Sequence, residues 1–308
     1  MQLWSHSLPR RNTISKLACL LALLLCSAHV WGQNIAVPFQ RVGNLIVVSG
    51  QIGDQIGNFV LDTGAPYLVL NETYFEDARQ SSAIAGGVNA TVEVSKLTVD
   101  TLTVPGYSWL GLEADVTNLG GIEDAKGIKI LGLLGVSLFH NFELSINYFE
   151  SQLYLKAVDE NGNVSDTVGM PGRRVVYSGK ITTKNNHVFT NVKIGKKKLT
   201  ACIDTGAEAC VLNNDLPDAV WDYLEVKGRF LLRGVGSEQT EVLSAKLSEL
   251  SFGTYSVKNV RLVITNLQGL SEAYGKEVDF VLGYTLLAGY VVTFNFVNET
   301  ISFSVNGE

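Results

Sequence analysis

The tetrapeptide Asp-Thr-Gly-Ala occurs twice, at residues 62–65 and 204–207, an offset of 142 positions. Each copy is entered by an apolar run and left by another: NFVLDTGAPYLVLN around Asp62 and LTACIDTGAEACVLN around Asp204. A carboxyl at the end of a buried strand is costly to ionise, because desolvation opposes its charge. Asp and Gly are also ordinary turn residues, but turns usually carry polar residues on at least one side, and these loops lie between apolar strands. Two carboxyls held close together cannot both ionise cheaply, so they share one proton over a wide pH range. Such a pair suits general acid–base work, the charged member taking a proton from water and the protonated member giving one to a carbonyl oxygen. Gly64 and Gly206 let the chain turn sharply with backbone amides near the carboxyls. Thr63 and Thr205 offer hydroxyls that can bond across to the other copy's backbone and hold the pair rigidly. In a chain of 308 residues, one such tetrapeptide arises by chance about once in two hundred. Two in matched settings do not, and Asp100-Thr101 and Asp166-Thr167, which lack the glycine, lie outside any such frame.

The elements that must position these residues are themselves duplicated. From Gly53 onward, GDQIGNFVLDTGAPYLVLN aligns without a gap on GKKKLTACIDTGAEACVLN from Gly195, and LLGVSLFHNFELSINYFESQLYL from Leu133 aligns on VLGYTLLAGYVVTFNFVNETISF from Val281 at an offset of 148. Both copies also reach Thr-Asn-Leu, at residues 117–119 and 265–267. The runs are short, β-branched or aromatic, and punctuated by Gly, Asn or Asp, which predicts strands at residues 44–48, 58–61, 67–70, 97–104, 142–148 and 152–155. Hairpin connections are expected at residues 54–57 and 196–198, with the three lysines of the latter as a solvated tip. A single short helix is expected near residues 216–224. The organisation expected is a signal at 1–32, one lobe at 33–156, a polar linker at 157–174 and a second lobe at 175–308, all-β throughout.

The double LDTGA/IDTGA motif at 61–65 and 203–207, with the later LLG and VLG at 133–135 and 281–283, resembles the retropepsin/pepsin-like aspartic peptidases carried as a single chain. The resemblance covers essentially everything after the signal. It implies two β lobes with a cleft between them, Asp62 and Asp204 as the catalytic pair, and a late strand in each lobe, ending at Gly135 and Gly283, that completes a ψ-shaped core. It also implies glycine-rich flaps, for which Gly86 and Gly87 in the first half and Gly234 and Gly236 in the second are the candidates. The substrate implied is a peptide or protein, with neither metal nor other cofactor, and one chain suffices for the site. One departure from the pepsin type stands out. Alanine follows each glycine (Ala65, Ala207) where pepsin-type enzymes place a hydroxyl that can stabilise the carboxylate. The pH optimum expected is therefore nearer neutral than pepsin's. A binding protein that keeps the cleft without turnover is the alternative.

Composition narrows the rest. The net charge is −6, and because residues 1–32 carry three cations and no acid the remainder is more negative still, so nothing would neutralise nucleic-acid phosphates. Arg10, Arg11 and Lys16 precede LACLLALLLCSA at 17–28, a run too short to span a bilayer, and small or polar residues follow it. This is a secretory signal pattern, cleaved before Gln33 or after Ala28, leaving a secreted or periplasmic protein without a membrane span. Leu25 before Cys26 argues against lipidation there. After the signal only Cys202 and Cys210 remain, as a disulfide or as two buried thiols. His140 and His187 are expected as surface or strand residues, since neither has metal-ligand spacing.

Overall fold

The computed structural model describes residues 34–75, 79–86, 91–164, 172–233 and 239–307. The first half runs β1 (Ile35–Pro38), β2 (Gln40–Val42), β3 (Leu45–Ile52), β4 (Gln55–Leu61), β5 (Leu68–Asn71), β6 (Arg79–Gly86), β7 (Thr91–Val104), β8 (Tyr107–Thr117), α1 (Gly120–Lys126), β9 (Ile130–Leu134), a 3-10 turn (Val136–Phe139), β10 (Phe142–Asn147) and β11 (Gln152–Ala157). The second runs β12 (Arg173–Lys180), β13 (Thr182–Lys184), β14 (His187–Ile194), β15 (Lys197–Ile203), β16 (Cys210–Asn213), α2 (Asp218–Trp221), β17 (Leu224–Arg233), β18 (Gln239–Phe252), β19 (Tyr255–Thr265), α3 (Gln268–Tyr274), β20 (Phe280–Leu282), α4 (Tyr284–Leu287), β21 (Val291–Asn295) and β22 (Thr300–Asn306).

The duplication is visible in the ladders. One eight-stranded sheet has the order β2-β3-β4-β9-β5-β8-β7-β6, the other β13-β14-β15-β20-β16-β19-β18-β17, and each curls so that its second strand also pairs with its seventh. A six-stranded sheet, β1-β11-β10-β21-β22-β12, joins them through the β10–β21 pair, where Ser145 faces Thr293. The protein is thus two β lobes on a shared sheet. In each lobe a late strand is inserted between the two strands that flank the Asp loop. β9 runs parallel to β4 (Leu61 beside Leu134) and antiparallel to β5 (Val69 beside Leu133). β20 repeats this, with Ile203 beside Leu282 and Val211 beside Val281. Covered on both sides, β9 is apolar without alternation, and all five of its residues are buried.

Every expected strand is present, with edges moved by a few residues. The hairpin turns lie earlier than the sequence suggests: Ile52 pairs with Gln55 and Ile194 with Lys197, so the turns are Gly53–Asp54 and Gly195–Lys196, and the three lysines are exposed. The expected helix shrinks to α2, while α1 and α3 were not foreseen. Both are seven-residue helices without a side-chain cap on their Ncap residues, too short for a helical period to register. A local signal did exist. In the repeated Thr-Asn-Leu, the Asn118 and Asn266 side chains accept the N–H of Gly120 and Gln268, the first residue of each helix. Cys202 and Cys210 are free and buried. β20 lies between their strands, which places them two strand spacings apart, roughly 9–10 Å, beyond the reach of a disulfide.

Candidate active site

The two Asp-Thr-Gly loops meet at the junction of the lobes. Each loop begins where its strand hands the backbone to the inserted strand: the Asp62 N–H bonds the Leu134 carbonyl at 3.1 Å and the Asp204 N–H bonds that of Leu282 at 3.0 Å. The threonines then cross over. Thr63 Oγ1 accepts the Thr205 N–H at 3.0 Å and donates to the Ile203 carbonyl at 2.9 Å, while Thr205 Oγ1 accepts the Thr63 N–H at 3.0 Å and donates to the Leu61 carbonyl at 2.9 Å. Both threonines are fully buried, so none of these four bonds competes with water. Thr205→Val would strand the Thr63 amide and the Leu61 carbonyl without partners. A loss of about 2–4 kcal/mol follows, read as a fall in melting temperature of about 5–10 °C. Thr205→Ser should recover most of it, and a valine variant that melts with the wild type would show that the crossed threonines do not hold the lobes.

Held this way, each loop presents its glycine to the opposite carboxyl. A Cβ on Gly64 would lie 2.7 Å from Cγ of Asp204, and one on Gly206 would lie 2.6 Å from Cγ of Asp62, so no side chain fits at either place. Each glycine amide also bonds the carboxyl of its own loop, Gly64 N–H to Asp62 Oδ1 and Gly206 N–H to Asp204 Oδ1, both at 2.8 Å, and Ala207 N–H reaches Asp204 Oδ1 at 3.1 Å. The carboxyls are in mutual hydrogen-bond contact; burial pushes both above the ordinary carboxylate range, and at Asp62, the more strongly raised, the charge of Asp204 adds to it. The amide bonds pull the other way and are outweighed. A pair in this state keeps one proton where isolated carboxyls would have lost theirs.

Gly135 and Gly283 close the base of the site. Each follows the inserted strand and passes against the exit of the Asp loop, where Val136 N–H bonds the Ala65 carbonyl at 3.0 Å and Tyr284 N–H bonds the Ala207 carbonyl at 2.9 Å. Of the flap candidates, Gly86 is the last residue of β6 and faces Thr91 at the end of the β6–β7 ladder. Gly87, Gly234 and Gly236 lie outside the described residues, although the strands on either side of the last two pair as a hairpin, Arg233 opposite Gln239. The β6 backbone packs against α3 of the opposite lobe, so this hairpin reaches across the junction. His140 is half-buried beside Phe296. His187 is a strand residue, as expected, but it is buried next to the paired loops and stacks on Tyr274; from the sequence neither residue had a place at the site. Their positions carry no repeat signal, because the first copy has Leu45 and Lys126 there.

Two lobes of one topology, each delivering an Asp-Thr-Gly loop to a common junction, define an aspartic protease fold of the two-lobed kind. The chain belongs to the aspartyl protease family: that family's model matches residues 48–138 and 190–286, more than half the chain, running from β3 to the turn after β9 and from β14 into α4. No curated protein matches the chain. Among the described residues no helix is long and apolar enough to cross a membrane.

Proposed function

We propose that the chain is an exported aspartic endopeptidase in which Asp62 and Asp204 activate water against a peptide carbonyl. The observation that carries this reading is the contact of two buried carboxyls, each lying against the glycine of the opposite loop, with burial raising both above the ordinary carboxylate range so that the pair can hold one proton. The charged member of the pair takes a proton from the attacking water. The protonated member donates to the carbonyl oxygen, and the proton accepted from water then goes to the leaving amine. The threonine cross-bonds and glycine amides hold both carboxyls in place throughout, so little reorganisation accompanies the charge movement. One chain supplies both carboxyls, which makes a monomer sufficient. The lobes are taken as residues 33–156 and 175–308 with 157–174 as linker, and residues 1–32 as the export signal, whose basic start and apolar run support export to a secreted or periplasmic location.

The test is cleavage of a mixed peptide library by the exported chain, with Asp62→Asn and Asp204→Asn as controls. Cleavage by the wild type alone is expected. Identical behaviour of all three would leave a peptide-binding protein on this fold.

The pH profile is a further expected result. Activity needs the singly protonated pair, so it declines as pH rises through the raised upper pKa, and with alanine at 65 and 207 no hydroxyl lowers the pair. The maximum should lie above about pH 4. Ala207→Ser, by offering a donor to Asp204, should move the profile toward acid by about half a unit. A wild-type maximum below about pH 3 would contradict this account.

A further inference from the structure

Among the contacts between the lobes beyond the paired loops, two struts occupy equivalent places and differ in chemistry. α1 and α3 end at Lys126 and Tyr274, an offset of 148, and each of these residues reaches the Asp loop of the other lobe. Lys126 ion-pairs with Glu208, which also accepts the Asn44 N–H at 3.0 Å, and Asn44 Nδ2 donates to the Glu208 carbonyl at 3.0 Å. That strut holds the loop from its far end. The Tyr274 hydroxyl donates instead to the carbonyl of Gly64, at 3.3 Å. His187 lies flat on the phenol ring, with 3.6 Å between centroids and 18° between planes, and Phe189 meets it edge-on at 6.2 Å.

The Gly64 carbonyl belongs to the same peptide group as the Ala65 N–H, which closes the turn on the Asp62 main-chain carbonyl at 3.2 Å, while the Gly64 N–H holds the Asp62 carboxyl at 2.8 Å. Hydrogen bonds in series polarise one another, so a donor at the carbonyl end strengthens the N–H at the other and fixes the plane of the peptide between them. We propose that Tyr274 is a positioning residue: its hydroxyl, steadied by His187, orients and polarises the Gly64–Ala65 peptide toward Asp62 and so makes two loops of identical sequence chemically unequal. This deepens the peptidase reading and rests on it for its meaning.

The surroundings suit the role. Burial keeps the phenol protonated, pushing its pKa well up, and pushes His187 down to about 4, so above that pH a neutral ring stacks on a neutral donor. The other titratable groups facing Tyr274 are Cys202 on β15 and the two aspartates. Lys184 bonds the Gly275 carbonyl just beyond α3, and Lys276 sits over the Phe189 ring at 4.4 Å.

The experiment compares Tyr274→Phe, which keeps the stacked ring and deletes only the hydroxyl, with Lys126→Met, which deletes the other strut. The aspartate carboxyls of the full chain are titrated by 13C NMR. Tyr274→Phe should raise the apparent pKa of the pair by about 0.3–0.7 unit and lower kcat several-fold with KM unchanged. Lys126→Met should lower the melting temperature and leave the titration in place. The inference is overturned if Tyr274→Phe titrates like the wild type, or if Lys126→Met moves the pair as far. The titration needs no substrate, so a wild type that cleaves nothing would remove the peptidase reading while the positioning role is still decided by the shift.

Discussion

Asp204→Asn is expected to lower the rate of peptide hydrolysis by about a thousandfold or more, and Asp62→Asn by a similar factor. Asparagine has nearly the shape of aspartate, and its carbonyl oxygen can still accept the N–H groups of Gly206 and Ala207, so the loop remains as it is. What is lost is the proton that moves between the two carboxyls, since an amide neither takes a proton from water nor gives one to a developing alkoxide at ordinary pH. The two aspartates act as a unit, and the double variant should be no slower than either single one. KM should change little, because the contacts that bind a peptide remain. Stability supplies an independent check of sign. The folded pair holds its proton more tightly than the unfolded chain, so its contribution is full below the ordinary carboxylate pKa and is lost as pH rises through the raised folded value. The asparagine variant escapes that loss, and its melting temperature relative to the wild type should rise between about pH 4 and pH 7. A variant that hydrolyses peptides within a few-fold of the wild type would end the acid–base account.

The second large effect is structural. Gly283→Ala is expected to prevent stable folding, at more than about 4 kcal/mol. A Cβ there would lie 2.4 Å from the Ala209 carbonyl oxygen and 2.6 Å from that of Ala207, and neither is the end of a flexible side chain. Relieving the overlap means separating the inserted strand from the Asp loop and breaking the Tyr284–Ala207 bond. Gly135→Ala should behave alike, since its Cβ would meet the Tyr67 and Ala65 carbonyl oxygens at 2.0 and 2.7 Å. The requirement is for space rather than for an unusual backbone conformation. Gly269→Ala is the comparison: a Cβ there meets nothing within 4 Å, and alanine favours the helix, so stability should hold or rise by about 0.5–1 kcal/mol. Soluble, cooperatively melting Gly283→Ala protein at wild-type temperature would show that the two backbones are less tightly apposed than the distances state.

How much of this was legible beforehand depends on how local each feature is. The expected strands of the first copy announced themselves because a pleated, half-buried surface selects β-branched and aromatic residues at a spacing of two, whereas β9 and β20, short and apolar throughout, were expected only through the resemblance carried by LLG and VLG. Turn positions at Gly53 and Gly195 were missed by one or two residues, since register is set by pairing across the hairpin. α1 and α3 were missed because seven residues carry less than two turns of pattern, although the asparagines at 118 and 266 marked their starts.

Alone, the sequence determined that the chain is a duplicated β protein carrying one Asp-Thr-Gly loop per copy, because repetition and residue type are properties of a string. The tertiary structure decided what no string contains: that Gly64 lies against Asp204 and Gly206 against Asp62, that β20 separates the two cysteines, and that a tyrosine stacked on a histidine bonds the Gly64 carbonyl. Each of these is a contact between residues far apart in the chain, and the packing of whole strands and helices, not the neighbours of any one residue, sets such distances.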